Sequence, residues 1–416
     1  MKTSRGGGVA SWLLAALFYF YQYTLRSSPS VMMPQLSEAF GLSAAAAASL
    51  IGMFYYGYAP LSLVAGMALD RYGAKMVIPF GALAAGGGAV LFGTSSVAAA
   101  YLGRFLQGAG GVFALIGAVY IVGKNFPKAR AATLVGATQM FGSIGGSAGQ
   151  FLVGPMIAGG LAWNHFWIGM GVAGILIGLL LFVLLSEQPI TERRDVRARD
   201  SLKALRVVFS NPQSLLCGLI AGLLFIPTTI FDMIWGVRYL EEARGFDYSS
   251  AVIRSATIPL GWVIGSPLMG FLSDRLGRRK PVIAGASCVL LACLSYILYG
   301  SVSILPPYVL GLLTGIASGA AMLTYSVICE ANPPQYSGTA TGVISFLNFT
   351  FAALLGPVFA WILQDVARGG HRGLQHYQIA FQFLLYGVAI AILLTLFLLK
   401  ETGPAVRTPA ATAEAA

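Results

Sequence analysis

The stretch GMALDRYGAKM, residues 66–76, ends an apolar run and returns nearly intact as GFLSDRLGRRK at residues 270–280. Both copies space their landmarks alike: Gly66, Asp70, Arg71 and Gly73 in one, Gly270, Asp274, Arg275 and Gly277 in the other. The offset is 204 residues. The polar turn that starts at Asn125 recurs at Asn332, 207 residues on, and Gly154-Pro155 recurs as Gly356-Pro357 at an offset of 202. Three landmarks at a near-constant spacing point to a duplicated unit, and they frame every other inference about the fold.

The unit is built for lipid. Of 416 residues, 57% are hydrophobic and 10% charged, against about 25% charged in soluble domains. Apolar runs of about 20 residues recur throughout, each long enough to cross a hydrocarbon core of about 30 Å as a helix. Twelve are predicted, at about 10–34, 44–69, 76–98, 100–123, 131–157, 161–186, 212–237, 249–273, 281–301, 305–330, 337–364 and 374–399. The expected fold is an all-α membrane protein of twelve transmembrane helices in two pseudo-symmetric six-helix bundles. The bundles are placed at 1–187 and 212–400, joined by a polar cytoplasmic linker at 188–211. A tail at 401–416, rich in Ala, Thr and Pro, reads as disordered.

A net charge of +11 raises the question of nucleic acid, but the distribution of the charges excludes it. With the N-terminus cytoplasmic, 19 of the 26 Lys and Arg residues fall in cytoplasmic loops or tails, Arg238, Arg244, Arg368 and Arg372 fall outside, and three lie within helices. That is the positive-inside pattern, with both termini cytoplasmic in a cell inner membrane. The first run is too long for a cleaved signal, so it stays as a helix. Cys217, Cys288, Cys293 and Cys329 all sit in predicted helices and read as small apolar residues. No phosphate-binding loop, nucleophile elbow or metal-ligand spacing is found, so neither an enzyme nor a cofactor or metal is expected.

Charges at a bilayer centre cost at least about 2.5–3.5 kcal/mol on insertion scales, so they face a cavity or a partner. Arg26, Arg104, Asp232 and Arg254 qualify, with Glu330 at the end of the tenth span. Arg26 stands in YTLRSSPSVMMP, residues 23–34, where Pro29 removes a backbone hydrogen bond and favours a bend. Its guanidinium suits carboxylate or phosphate and keeps its charge when desolvated, so Arg26 is expected to bind an anionic substrate. The competing reading pairs it permanently with Asp232, which the repeat offset places at the equivalent of position 28. Arg254 offers Asp232 a second partner and would leave the cavity positive. Asp232 is the expected proton-coupling carboxylate, with Glu330 in coupling or gating. Asp232 and Arg254, with Tyr23, Tyr55, Tyr56, Tyr58, Gln139, Tyr325 and Asn348, complete the expected substrate-binding set.

The two aspartate–arginine loops, with GRFLQGAGG at residues 103–111, resemble the major facilitator superfamily over about Val9 to Lys400. One departure is Ala74, where that family usually shows a basic residue. The resemblance implies alternating access between two bundles about a central site, and a structural or proton-linked role for Arg104. Asp70, Arg71, Asp274, Arg275 and Arg278 are assigned to gating, because an Asp at a helix end accepts hydrogen bonds from a neighbouring helix N-terminus while Arg reaches carboxylates or lipid phosphates. The Tyr23-x-x-Arg26 setting is similar to that of branches that carry organic anions and phosphate esters.

The expected function is thus secondary transport of a small organic anion, a carboxylate or phosphorylated metabolite, by proton symport or anion exchange, in a monomer. Three alternatives stand beside it: an amino acid, peptide or siderophore held by Arg26 and Asp232 at its two ends; lipophilic drug efflux; and a non-transporting membrane sensor that keeps the fold.

Overall fold

Among the described residues, the apolar runs fold as helices. A computed structural model describes residues 5–126, 128–185, 198–301, 307–333, 336–367 and 372–402; within these, the side chains at 5–6, 70–71, 123–124, 128–133, 135, 198–202, 307 and 337–338 lie outside the described set. The first span is α1 (Arg5–Ser27), a 3₁₀ turn (Ser28–Met32) and α2 (Met33–Phe40). Spans two to six are α3 (Ala44–Tyr72), α4 (Ala74–Phe92), α5 (Val97–Asn125), α6 (Lys128–Phe151) with the short α7 (Val153–Ala158), and α8 (Trp163–Leu184). After the linker helix α9 (Ala198–Ser210), the seventh span runs through α10 (Pro212–Ile226), a π-helical stretch (Pro227–Gly236) and α11 (Val237–Glu242). The last five are α12 (Tyr248–Leu276), α13 (Lys280–Tyr299), α14 (Pro307–Ser318) with α15 (Ala321–Glu330), α16 (Ser337–Ala367) and α17 (Leu374–Phe397).

Ten helical segments among the described residues are long and apolar enough to cross a membrane by themselves. The first and fifth spans fall short for a reason that bears on function. α1 and its 3₁₀ turn bury Gln22, Thr24, Arg26, Ser27, Ser28 and Ser30, while α6 buries Thr138, Gln139, Ser143, Ser147 and Gln150. The two pack on each other, and a polar face turned inward lowers the mean hydropathy of a helix without exposing a polar atom to lipid. The outer surface is the reverse. Val183, Phe397, Trp361 and Phe80 are 77%, 76%, 67% and 56% exposed, an apolar belt that only a lipid environment covers.

Within each half, glycine sets the packing distance. A Cβ at Gly108 would come 1.9 Å from the Phe54 carbonyl oxygen, and one at Gly315 would come 2.0 Å from that of Ile258. Only glycine allows α5 to lie this close to α3, and α14 to α12. The halves meet along α3 with α16 and along α6 with α12. Near the face that carries the chain termini, Gly342 approaches the Ser62 carbonyl. Towards the opposite face, Tyr248 donates to the carbonyl of Val31 at 2.6 Å and Ser147 to that of Ala256 at 3.1 Å.

Residues 186–197 of the linker and 403–416 of the tail lie outside the described residues. Glu401 and Thr402, which begin the segment expected to be disordered, are held in place. Glu401 accepts from the backbone N–H groups of Arg279 at 2.6 Å and Lys280 at 3.2 Å, at the N-terminus of α13, and Thr402 donates to Glu330 at 2.7 Å.

Candidate functional site

Pro29 builds the site. Having no N–H, it leaves the Leu25 carbonyl one turn back without its helical partner, and the chain passes into a 3₁₀ turn. Local hydroxyls take up neighbouring carbonyls: Ser28 donates to Thr24 at 2.7 Å, Ser27 to Gly146 at 2.8 Å and Ser30 to Ser27 at 2.8 Å. The Leu25 carbonyl itself accepts from Arg104 at 3.0 Å. Arg104 also donates to the Ile51 carbonyl, through Nε at 3.3 Å and Nη2 at 3.1 Å, and to Gln107. Stacked between Phe54 and Phe92, it ties spans one, two and four together. It does not line the central cavity.

Arg26 sits at the end of α1 and is 2% exposed. Its guanidinium carbon lies 4.9 Å from the ring centre of Tyr23, 5.3 Å from Tyr55 and 5.0 Å from Phe349, an aromatic cage drawn from spans one, two and eleven. Nε donates to the Tyr55 hydroxyl at 3.3 Å, and that hydroxyl donates to the Thr229 carbonyl at 3.4 Å. Among the described residues no carboxylate forms an ion pair with Arg26. Cation–π contact stabilises a desolvated guanidinium by about 2 kcal/mol or more but leaves its in-plane N–H groups free to donate.

A narrow cavity opens beside this group, lined by Tyr23, Arg26, Gln139, Ser143, Thr228 and Trp262 together with Phe225, Met233 and Pro259. Gln139 is held by its neighbours: it accepts from Tyr19 at 3.0 Å and donates towards Tyr23 and Ser143 at 3.4 Å each. Trp262 donates to Thr228 at 2.9 Å. On the side towards the chain termini, Tyr58 packs on Phe349 at 4.4 Å, and Tyr325 accepts from Asn348 at 3.3 Å. Tyr23, Tyr55, Tyr58, Gln139, Tyr325 and Asn348 therefore gather about the middle of the molecule with Arg26. Tyr56 does not: it is 41% exposed on the outer surface of α3.

Asp232 and Arg254 stand elsewhere. Asp232, in the π-helical stretch, is fully buried; Oδ1 accepts from Ser255 at 2.6 Å, while Oδ2 has no hydrogen-bond partner among the described residues. Gln150 also approaches it. Neither the Arg26–Asp232 nor the Arg254–Asp232 ion pair forms among the described residues. Arg254 stacks on Phe246, 3.9 Å from the ring centre.

At the face with the chain termini, Arg279 pairs with Asp274 at 2.6 Å and Glu330 at 3.0 Å. Burial opposes the Arg279 charge, but the hydrogen bonds it donates to Glu330 and Asp274 outweigh it and hold the guanidinium above its ordinary value. Arg279, and neither Arg275 nor Arg278, makes these contacts, and the positive φ of Gly277, 65°, turns the chain so that it does. Asp70 and Arg71 have side chains outside the described set. Phe349 and Gln150 were not singled out by the sequence, because an aromatic or an amide in an apolar helix carries no distinguishing signal there; Arg279 belonged to the repeated loop but was not among the residues assigned to gating.

The family model of the Major Facilitator Superfamily matches residues 15–357. The chain is 27% identical to the hexuronate transporter of Bacillus subtilis over 411 residues, covering 94% of this chain and 93% of that protein. It is 25% identical to the membrane sensor protein UhpC of Salmonella typhimurium over 391 residues, covering 86% and 84%. A solved bacterial homologue of the human lysosomal transporter Spinster, inward-facing and unoccupied, matches with a TM-score of 0.71 at 16% identity over 94% of this chain and 97% of that one, a likeness of fold. Twelve spans, a repeated aspartate–arginine loop and a family match over most of its length place this multi-pass membrane protein in the Major Facilitator Superfamily.

Proposed function

We propose that the protein is a secondary transporter of a small organic anion, bound by Arg26 and carried by alternating access of the two six-helix halves. The observation that carries this reading is a buried guanidinium with aromatic neighbours and no protein carboxylate among the described residues. Water does not neutralise a desolvated charge, and a carboxylate entering the cavity does so with paired, charge-assisted hydrogen bonds. Gln139, Ser143 and Thr228 offer hydroxyl and amide partners to the polar body of such a solute. The likeness to a hexuronate transporter supports the same class. An amino acid or other zwitterion fits less well, because no carboxylate lines the central cavity among its described residues.

In this reading the protein lies in a cell inner membrane with its termini cytoplasmic. Asp232 carries the coupling proton, and the cluster of Arg279, Asp274 and Glu330 closes the cytoplasmic side. The direct test is uptake by purified protein in liposomes, with glucuronate as first probe in a panel of carboxylates and phosphate esters. A solute that wild type accumulates and Arg26→Gln does not supports the assignment; wild-type uptake and affinity in Arg26→Gln would falsify it. The likeness to a membrane sensor favours one other reading, a receptor that binds the anion without moving it. Saturable binding with no flux in the same liposomes selects that alternative.

A further inference from the structure

A second cavity lies inside the C-terminal half, towards the face away from the chain termini. It is a partly open cavity of about 80 Å³ between α11, α12, α13 and α14 and shares no lining residue with the cavity beside Arg26. Its walls are mostly apolar, with Phe231, Leu240, Ile258 and Leu310 among them, yet two arginines border it.

The two arginines differ in what already occupies them. Arg244 is committed to the C-terminal end of α13: it donates to the carbonyls of Ile297 at 2.5 Å, Leu298 at 2.8 Å and Gly300 at 3.1 Å, and to the Tyr239 hydroxyl at 2.8 Å. A cation at a helix C-terminus is balanced by the carbonyls it meets. Arg254 has no such balance. Its guanidinium carbon lies over the ring of Phe246, 3.9 Å from its centre, its buried Nε has no partner among the described residues, and no carboxylate there pairs with it. The acid at the start of its own helix, Asp247, is spent on Ser250, through the backbone N–H at 3.0 Å and the hydroxyl at 2.6 Å. Asp232 is not among the residues that line the cavity, and it accepts from the hydroxyl of Ser255, which is. A guanidinium stacked face-on keeps its N–H edge free, the geometry that receives a carboxylate or phosphate.

We propose that this cavity is a second binding site, for an organic anion with an apolar body: its carboxylate or phosphate meets Arg254, and its aryl or alkyl part fills the pocket between Phe231 and Leu310. The site is independent of the central cavity and of whatever solute Arg26 binds. Two sources supply this chemistry, a free amphipathic acid and the phosphate of an anionic lipid.

Two measurements on full-length protein separate them. In the first, 4-phenylbutyrate is titrated while thermal unfolding is followed. Wild type and Arg26→Gln should both gain about 2 °C at a tenfold excess over Kd, and Arg254→Gln should gain none. In the second, protein taken from nanodiscs containing phosphatidylglycerol is weighed by native mass spectrometry. Retention of that lipid by wild type and its loss in Arg254→Gln, without a phenylbutyrate effect, assigns the occupant to the bilayer. Ile258→Trp fills the pocket and leaves both arginines in place, so it should abolish binding in a protein that elutes like wild type. Equal responses of wild type and Arg254→Gln in both measurements overturn the proposal. So does a phenylbutyrate shift lost in Arg26→Gln and kept in Arg254→Gln, which would place the acid in the central cavity.

Discussion

Arg104 donates to the Leu25 carbonyl at 3.0 Å, the acceptor that Pro29 leaves without a helical donor. A break in the first span and a buried charge in the fourth therefore solve one problem together. Replacing Arg104 by Gln strands a buried carbonyl, which costs about 1–3 kcal/mol, and should lower the melting temperature while Kd for the anion proposed to bind at Arg26 stays within about threefold of wild type, about 0.7 kcal/mol. Pro29→Ala returns an N–H to Leu25. The double variant should then be more stable than the two single losses predict, a coupling that a double-mutant cycle reads directly.

Arg26 should behave in the opposite way. Arg26→Gln removes a charge with no protein counter-ion among the described residues, so the fold should keep or gain stability. Anion affinity should fall about tenfold to a hundredfold, the value of about 1.5–3 kcal/mol of charge-assisted hydrogen bonding. Arg26→Lys keeps the charge but loses the planar fork and should recover part of that loss. Isothermal titration of the purified variants decides; equal affinities for wild type and Arg26→Gln exclude the role.

Asp232 is fully buried and bonded at one oxygen by Ser255. Asp232→Asn preserves the shape and the Ser255 contact but cannot exchange a proton. In proteoliposomes this variant should bind the anion within a few-fold of wild type and lose accumulation driven by an imposed pH gradient, while exchange of internal for external anion persists. Undiminished gradient-driven uptake by Asp232→Asn removes it from coupling.

Arg279 joins Asp274, Glu330 and, through its backbone N–H, Glu401 at the face with the chain termini. Arg279→Gln should open that face more often. A shift of about 1.4 kcal/mol corresponds to a tenfold change in population, visible as faster amide hydrogen exchange in the segment 273–280. Tyr248→Phe removes the hydrogen bonds to Val31 and Gly154 across the opposite face and should speed exchange near 28–33. Exchange that is unchanged at both segments shows that these contacts do not hold the faces shut.

Much of this was legible in the residues. The loops at Asp70 and Asp274 marked the repeat, the apolar runs marked the spans, and Arg26 stood out because a charge in lipid has no ordinary explanation. The tyrosines of FYYGY show where reading a helix as a string fails. At about 100° per residue, Tyr58 comes back near the direction of Tyr55 while Tyr56 turns away, and the structure buries the first two and exposes the third. Asp232, Arg254 and Arg26 looked like three members of one site. They occupy three places, and the π-helical stretch that carries Asp232 sets a direction that no spacing in the chain encodes.

By itself, the sequence determined that the protein crosses a membrane, that it is built from two copies of one unit and that a permanent positive charge lies within the first span. These follow from local chemistry: hydrophobicity over about 20 residues, a repeated motif and a pKa too high to lose its proton. Only the tertiary structure decided what surrounds that charge. Phe349 reaches Arg26 from more than 300 positions away, and whether a guanidinium meets a ring or a carboxylate depends on how helices from both halves cross, a property of packing that no single segment contains.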